Sequence, residues 1–235
     1  MHQLLLFDID GTILRVERNL SRKIVVAVMS EVLGRDEDVI IPETYRFHGR
    51  TDHSIFLDLC EILGESREES TRLIPNFECS LTDWWSRHLN EQTISILPGV
   101  IPLLEQLHDD DDVTLGLLTG NLIEGARAKL HPHNLNRFFP FGAFGSDAVN
   151  RNDLPPIALQ RANELHDNRF SFDHAVIIGD SNRDIECAKA WGIRSVAVAT
   201  GGLSPDELRD HEPDLLLDTL EDTHSFLKFI RSPSL

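Results

Sequence analysis

Two aspartates one residue apart, Asp8 and Asp10, follow the apolar run "LLLF" and precede Gly11 and Thr12. Asp180 closes another apolar run in the same way, in "AVIIGDSNRD". An ionised carboxylate at the edge of an apolar interior is costly unless something pairs with it or coordinates it, so the placement asks for a cation or a reaction. Two positions apart on an extended chain, Asp8 and Asp10 point the same way. If the two apolar runs are neighbouring strands, Asp8, Asp10 and Asp180 converge on one rim. Oxygen ligands without clustered His or Cys then select a hard cation such as magnesium. Each acid has a plainer reading as well, since Asp-Gly is a common turn and Asp a common helix cap. The pattern D-x-D-G-T nevertheless arises by chance only on the order of once in several hundred such chains.

The elements that must hold these acids are legible in the rest of the chain. From about Leu97 onward, helical stretches alternate with short apolar runs: "VTLGLLT" (113–119), "GAFGS" (142–146), "HAVIIGD" (174–180), "SVAVAT" (195–200) and "DLLLD" (214–218). With residues 4–7 they make about six strands, and this alternation predicts an α/β fold with a parallel sheet covered by helices. Near-continuous hydrophobicity in the runs suits strands buried on both faces. Helices are predicted over 98–108, 122–130, 155–166 and 184–191, each about long enough for a crossover. In open sheets of this kind ligands bind outside the carboxyl ends of the strands, where Asp8 and Asp180 fall.

Residues 15–92 carry a different pattern, helical throughout with no strand. "SRKIVVAVMSEVLG" (21–34) has Ser21 as the predicted N-cap and Gly34 as the stop, and "TDHSIFLDLCEILG" (51–64) repeats the design with Thr51 and Gly64. A third helical stretch over 66–89 is interrupted at Pro75. The chain thus reads as an all-helical unit inserted between the first and second strands of a sheet.

At 235 residues, 41% of them hydrophobic, the chain has enough apolar mass for one large domain with a smaller insertion. A formal charge of -17 argues against nucleic acid or anionic membrane as partners. No apolar run is long enough for a membrane span and no signal-peptide pattern opens the sequence, which predicts a soluble, cytoplasmic protein. Cys60, Cys79 and Cys187 show no CxxC pairing and read as small core residues. The run Asp109, Asp110, Asp111, Asp112 reads as a solvated loop, and no feature specifies an oligomeric state.

Asp8-Ile9-Asp10-Gly11-Thr12, the strand-terminal "LLTGN" holding Thr119, Gly120 and Asn121, and "GDSNRD" at 179–184 occur in one order. In this the chain resembles the haloacid dehalogenase superfamily of hydrolases. "HGRTD" (48–52) is similar to a segment of phosphoglycolate-phosphatase-like members with a helical cap. The resemblance implies a Rossmann-like three-layer core of residues 1–14 and 93–235 with a cap of residues 15–92. It implies a magnesium-dependent phosphatase for a small phosphorylated metabolite, either phosphoglycolate-like or a sugar phosphate. Asp8 would be the nucleophile that forms an aspartyl-phosphate and Asp10 the general acid and base. Magnesium would be held by Asp8, the Asp10 backbone carbonyl and Asp180, with Asp184 as a direct or outer ligand. Thr119 and the N–H groups of Gly120 and Asn121 would bind phosphoryl oxygens.

The family's third motif supplies a lysine, and here the chain departs from it. Arg151, in "NRNDLPPIALQRA", stands where that lysine belongs and could carry its charge with a larger, forked group; the alternative is a surface arginine in a loop. Lys129 stands about three turns into the helix after Thr119, which predicts that it lies out of reach. Arg50 is the best candidate of the insertion for touching substrate, against a solvent-facing turn arginine. A phosphomutase would keep Asp10. A dehalogenase would not need Asp10, and a non-catalytic phospholigand-binding protein should show a broken catalytic position.

Overall fold

The computed structural model describes residues 2–17, 19–166 and 169–232. In chain order the strands and α-helices are β1 (Gln3–Phe7), β2 (Leu14–Val16), α1 (Leu20–Val32), α2 (Asp52–Ile62), α3 (Arg67–His88), β3 (Ile94–Ile96), α4 (Val100–His108), β4 (Val113–Leu118), α5 (Ile123–Leu130), β5 (Gly142–Ala143), α6 (Leu154–Leu165), β6 (Ala175–Gly179), α7 (Asn182–Lys189), β7 (Arg194–Val198), α8 (Pro205–Arg209), β8 (Leu215–Leu217) and α9 (Thr223–Arg231).

Six strands form one sheet in the order β5-β4-β1-β6-β7-β8, every pair parallel. The chain builds outward from β1 on one side, then returns to build β6, β7 and β8 on the other. This is the doubly wound arrangement, and its strand order reverses between β1 and β6. Side chains of β1 alternate across the sheet. Leu5 and Phe7 join Leu103, Leu104 and Phe226 in one core layer, while Leu4 and Leu6 join Ala158, Ala162 and Ala188 in the other. The parallel sheet between helical layers is the α/β architecture expected from the sequence.

Between β2 and β3 in the chain lie α1, α2 and α3, with α3 packed on both of the others and on α5. Thr51 caps α2 as expected: its hydroxyl oxygen accepts from the Ser54 N–H at 3.1 Å and donates to the Val149 carbonyl at 2.6 Å. Phe56 of α2 stacks on Phe77 of α3 with ring centroids 4.4 Å apart, both fully buried.

Four details differ from the sequence expectations. Leu14–Val16 and Ile94–Ile96 pair as a two-stranded antiparallel ribbon at the two ends of the helical insertion, where no strand was expected; three residues per strand are too few to show a period. Helix α1 starts at Leu20 rather than after Ser21, because Asn19 adopts a left-handed φ of 73° and its carbonyl already accepts from Lys23. Asn is one of the few side chains that tolerates that conformation. Helix α3 runs unbroken through Pro75. A proline there forfeits one hydrogen bond and costs about 3 kcal/mol. Burial of Phe77, Leu81 and Trp85 beyond it, at about 1.5–3 kcal/mol each, outweighs that cost. Cys60 and Cys187 are buried, but Cys79 is exposed.

Among the described residues no helix is long and apolar enough to cross a membrane. Phe56→Ala removes one ring of the stacked pair that ties α2 to α3. It is expected to cost about 3–5 kcal/mol, read as a lowered urea midpoint.

Candidate active site

Asp8 is the first residue beyond β1, and its N–H donates to the Ile178 carbonyl of β6 at 2.9 Å. Asp180 is the first residue beyond β6. Parallel pairing of the two strands therefore brings these acids together where the strand order reverses. Gly11, with φ +86°, turns the chain directly against the Asp180 carboxylate, where any Cβ would overlap it. Asp184 follows in the first turn of α7, and the Ser181 N–H and hydroxyl donate to its Oδ2 at 3.0 and 2.6 Å. Oxygens of Asp8, Asp180 and Asp184 lie within 4.8 Å of one another, all buried.

Arg151 enters this cluster from the turn before α6. Its Nη2 donates to Asp184 Oδ1, lies 3.3 Å from Asp8 Oδ1 and donates to the Leu118 carbonyl at 3.2 Å. Its side chain is only 5% exposed, so the alternative of a surface arginine does not hold. Three carboxylates and one guanidinium leave a formal local charge of -2. Burial above all, with Asp184 and Asp10 adding and Arg151 opposing, raises the Asp8 carboxyl to about 6. Burial, then Asp184 and Asp8, raises Asp180 well above the usual carboxylate range. Both oxygens of Asp184 are engaged by Ser181 and Arg151, which leaves Asp8 and Asp180 with oxygens to offer. A hard, oxygen-only donor set short of two positive charges fits a divalent cation such as magnesium.

The opposite side of Asp8 belongs to β4. Thr119 follows the last residue of that strand and is fully buried. The Asn121 Nδ2 donates to Thr119 Oγ1 and to Asp10 Oδ2, each at 2.8 Å. Gly120 lies under the insertion: a Cβ there would collide with the Arg50 carbonyl. The Asp52 N–H donates to the Gly120 carbonyl at 2.7 Å, and Asp52 Oδ2 accepts from the Leu122 N–H at 2.8 Å. Asp52 is half-buried, and its desolvation pushes its carboxyl up to about 6 against the opposing charge of Lys129. Arg50 itself donates to Asp58 and stacks its guanidinium 5.4 Å from the Tyr45 ring centre. His53, also in α2, bonds Glu78 at 2.7 Å.

Lys129 corrects the sequence expectation. Its Nζ reaches Asp10 Oδ2 at 2.6 Å and Asn121 Oδ1 at 2.5 Å. Only residues from Ile123 onward are helical, so Lys129 stands about 9 Å along the axis, and helical side chains lean back toward the N-terminus. A signal was present: Lys129 shares the buried stripe of Ala126 and Leu130. Asp52 and Ser181 lie inside the segments "HGRTD" and "GDSNRD", but neither is given a role of its own by the sequence.

The haloacid dehalogenase-like hydrolase family matches residues 5–198. A phosphoglycolate phosphatase of Aliivibrio fischeri is 24% identical over 216 residues, covering 92% of each chain. A pyrophosphatase of Listeria innocua is 25% identical over 222 residues, covering 93% of each. The crystal structure of a hydrolase from Pseudomonas syringae superposes with a TM-score of 0.68 at 21% identity, covering 98% of this chain and 100% of that one.

Because the Asp8 carboxyl sits near 6 in the folded protein against 3.8 in a free side chain, the folded state holds the extra proton between those values. Its contribution to stability is complete below about pH 4 and is lost as pH rises through 6; Asp180 acts with the same sign. The metal-free protein should therefore melt lower at pH 7.5 than at pH 5.5. Asp8→Asn should flatten that dependence and raise the melting temperature at pH 7.5. A variant as pH-sensitive as the parent would contradict the assignment.

Proposed function

The chain belongs to the haloacid dehalogenase-like hydrolases, and we propose that it is a magnesium-dependent phosphatase cleaving a small phosphate monoester, phosphoglycolate-like or a sugar phosphate. The observation that carries this reading is the placement of Asp8 where the strand order reverses, with Asp180 and Arg151 on one side and Thr119, Asn121 and Asp10 on the other. Relatives named as a phosphoglycolate phosphatase and a pyrophosphatase support phosphoryl transfer to water as the reaction class.

In this mechanism an Asp8 oxygen attacks phosphorus as the P–O bond to the leaving group breaks. Asp10 gives its proton to the departing oxygen. Water then attacks the aspartyl-phosphate, its proton passes to Asp10, and the bond between phosphorus and Asp8 breaks to release phosphate and restore both acids. Thr119 and the N–H groups of Gly120 and Asn121 receive the oxygens of the transferring group. Arg151 holds Asp8 and Asp184 and supplies the positive charge the family draws from a lysine. Asp8, Asp180 and the Asp10 carbonyl would hold magnesium, with Asp184 acting through Ser181 and Arg151. Bound there, magnesium would offset the repulsion between the carboxylate and an anionic phosphate.

Residues 15–92 form the cap in this reading and residues 1–14 and 93–235 the core. The cap seats on Gly120 and excludes water while the acyl-phosphate forms. Arg50 is the cap residue assigned to the non-reacting part of the ester.

Phosphate release measured over a panel of metabolite esters tests both reaction and substrate class. Asp8→Asn should lower release by more than about a thousandfold while the protein stays folded. A chelator should abolish release and added magnesium restore it. Undiminished turnover by Asp8→Asn would remove Asp8 as nucleophile, and phosphate appearing on a second ester instead of in solution would assign a mutase.

A further inference from the structure

Of the chain's lysines Lys129 alone is buried; Lys23, Lys189 and Lys228 are exposed. Its ammonium lies 2.6 Å from Asp10 Oδ2, 2.5 Å from Asn121 Oδ1 and 4.7 Å from the ring centre of Trp85. Trp85 belongs to α3 of the insertion and is itself buried, packed against Gly125 of α5. A charge is not enclosed in this way without a compensating set of partners, and each of these partners has a consequence.

An ammonium has donors and no acceptor, so Asn121 must turn its carbonyl oxygen to Lys129. That orientation sends its Nδ2 to Asp10 and Thr119, the two contacts observed. Lys129 and Asn121 then both donate to the same oxygen of Asp10, Oδ2. The carboxylate is fixed by one oxygen, and the Asp10 side chain stays 40% exposed. The Trp85 ring covers the ammonium from the insertion side, and excluding water from that contact strengthens both the ion pair and the cation–π attraction.

We propose that Lys129 is a positioning residue that pins Asp10 by Oδ2, so that Oδ1 exchanges the proton with the leaving oxygen and then with water, while Trp85 of the insertion covers the ammonium. The family's single third-motif cation is thereby divided here into two groups: Arg151 beside Asp8 and Lys129 beside Asp10. The inference rests on the role given to Asp10 above.

A residue that only supports the fold would lower the folded fraction and leave the chemistry of the folded molecules alone. Misplacing Asp10 has a different signature. An alkyl phosphate needs a proton on its leaving oxygen, a nitrophenyl phosphate does not, and both need Asp10 to take a proton from water in the second step. The experiment compares the full-length protein with Lys129→Met, in magnesium, on an alkyl phosphate and on p-nitrophenyl phosphate. Lys129→Met should lower kcat on the alkyl ester about a hundredfold with KM within about threefold. On the nitrophenyl ester it should release one equivalent of nitrophenolate quickly and then turn over slowly, with phosphoenzyme recovered after acid quenching. Lys129→Arg should restore part of the loss. If Lys129→Met does not fold, Lys129→Gln, which keeps a donor without the charge, gives the same readout.

Equal losses on both esters without a burst, or turnover unchanged from the parent, overturn the inference. Absence of phosphate release by the parent overturns the phosphatase reading, and this inference with it. Release by the parent beside an unaltered Lys129→Met overturns this inference alone.

Discussion

Arg151 donates to Asp184 and lies 3.3 Å from Asp8, and none of the three side chains is more than 7% exposed. One guanidinium thus faces two carboxylates in a region with almost no water, and Asp180 adds a third acid. Each buried charge costs several kcal/mol unless its partners are well placed. The neighbouring sequence answers that cost locally. Ser181 gives two donors to Asp184, and Leu118 gives Arg151 a carbonyl. Gly11 lets the backbone close on Asp180.

The sheet makes this arrangement possible. Because β1 lies between β4 and β6, three stretches far apart in the sequence end side by side. Asp8 and Asp10 come from the first, Thr119 and Asn121 from the second, Asp180 and Asp184 from the third. The interior of β1, with Leu4, Leu5 and Phe7 fully buried, fixes those ends relative to one another.

How far the sequence discloses this depends on the range of each signal. The six strands and their burial follow from runs of apolar residues, and Thr51 and Gly64 mark α2 because capping is local. Residues 14–16 and 94–96 were illegible for the opposite reason: neither segment is long enough for a period, and each makes sense only beside the other. Pro75 misled because a local penalty is outweighed by Phe77, Leu81 and Trp85 packing at a distance. Asp8, Asp10 and Asp180 were legible as acids out of place beside apolar runs. Arg151 was found by its place in a motif. Lys129 was dismissed by counting helical turns through residues 119–122, which precede α5. A charged residue in register with Ala126 and Leu130 was the better clue.

Gly120 carries a mechanical consequence. The peptide assigned to phosphoryl oxygens is the same peptide on which the insertion rests, since its carbonyl accepts the first N–H of α2 and its Cα faces the Arg50 carbonyl. One peptide unit thus serves as both bearing and anvil. Any rotation of that unit would be transmitted directly to the start of α2, and even a methyl group at position 120 would act as a doorstop, holding the helices off their seat.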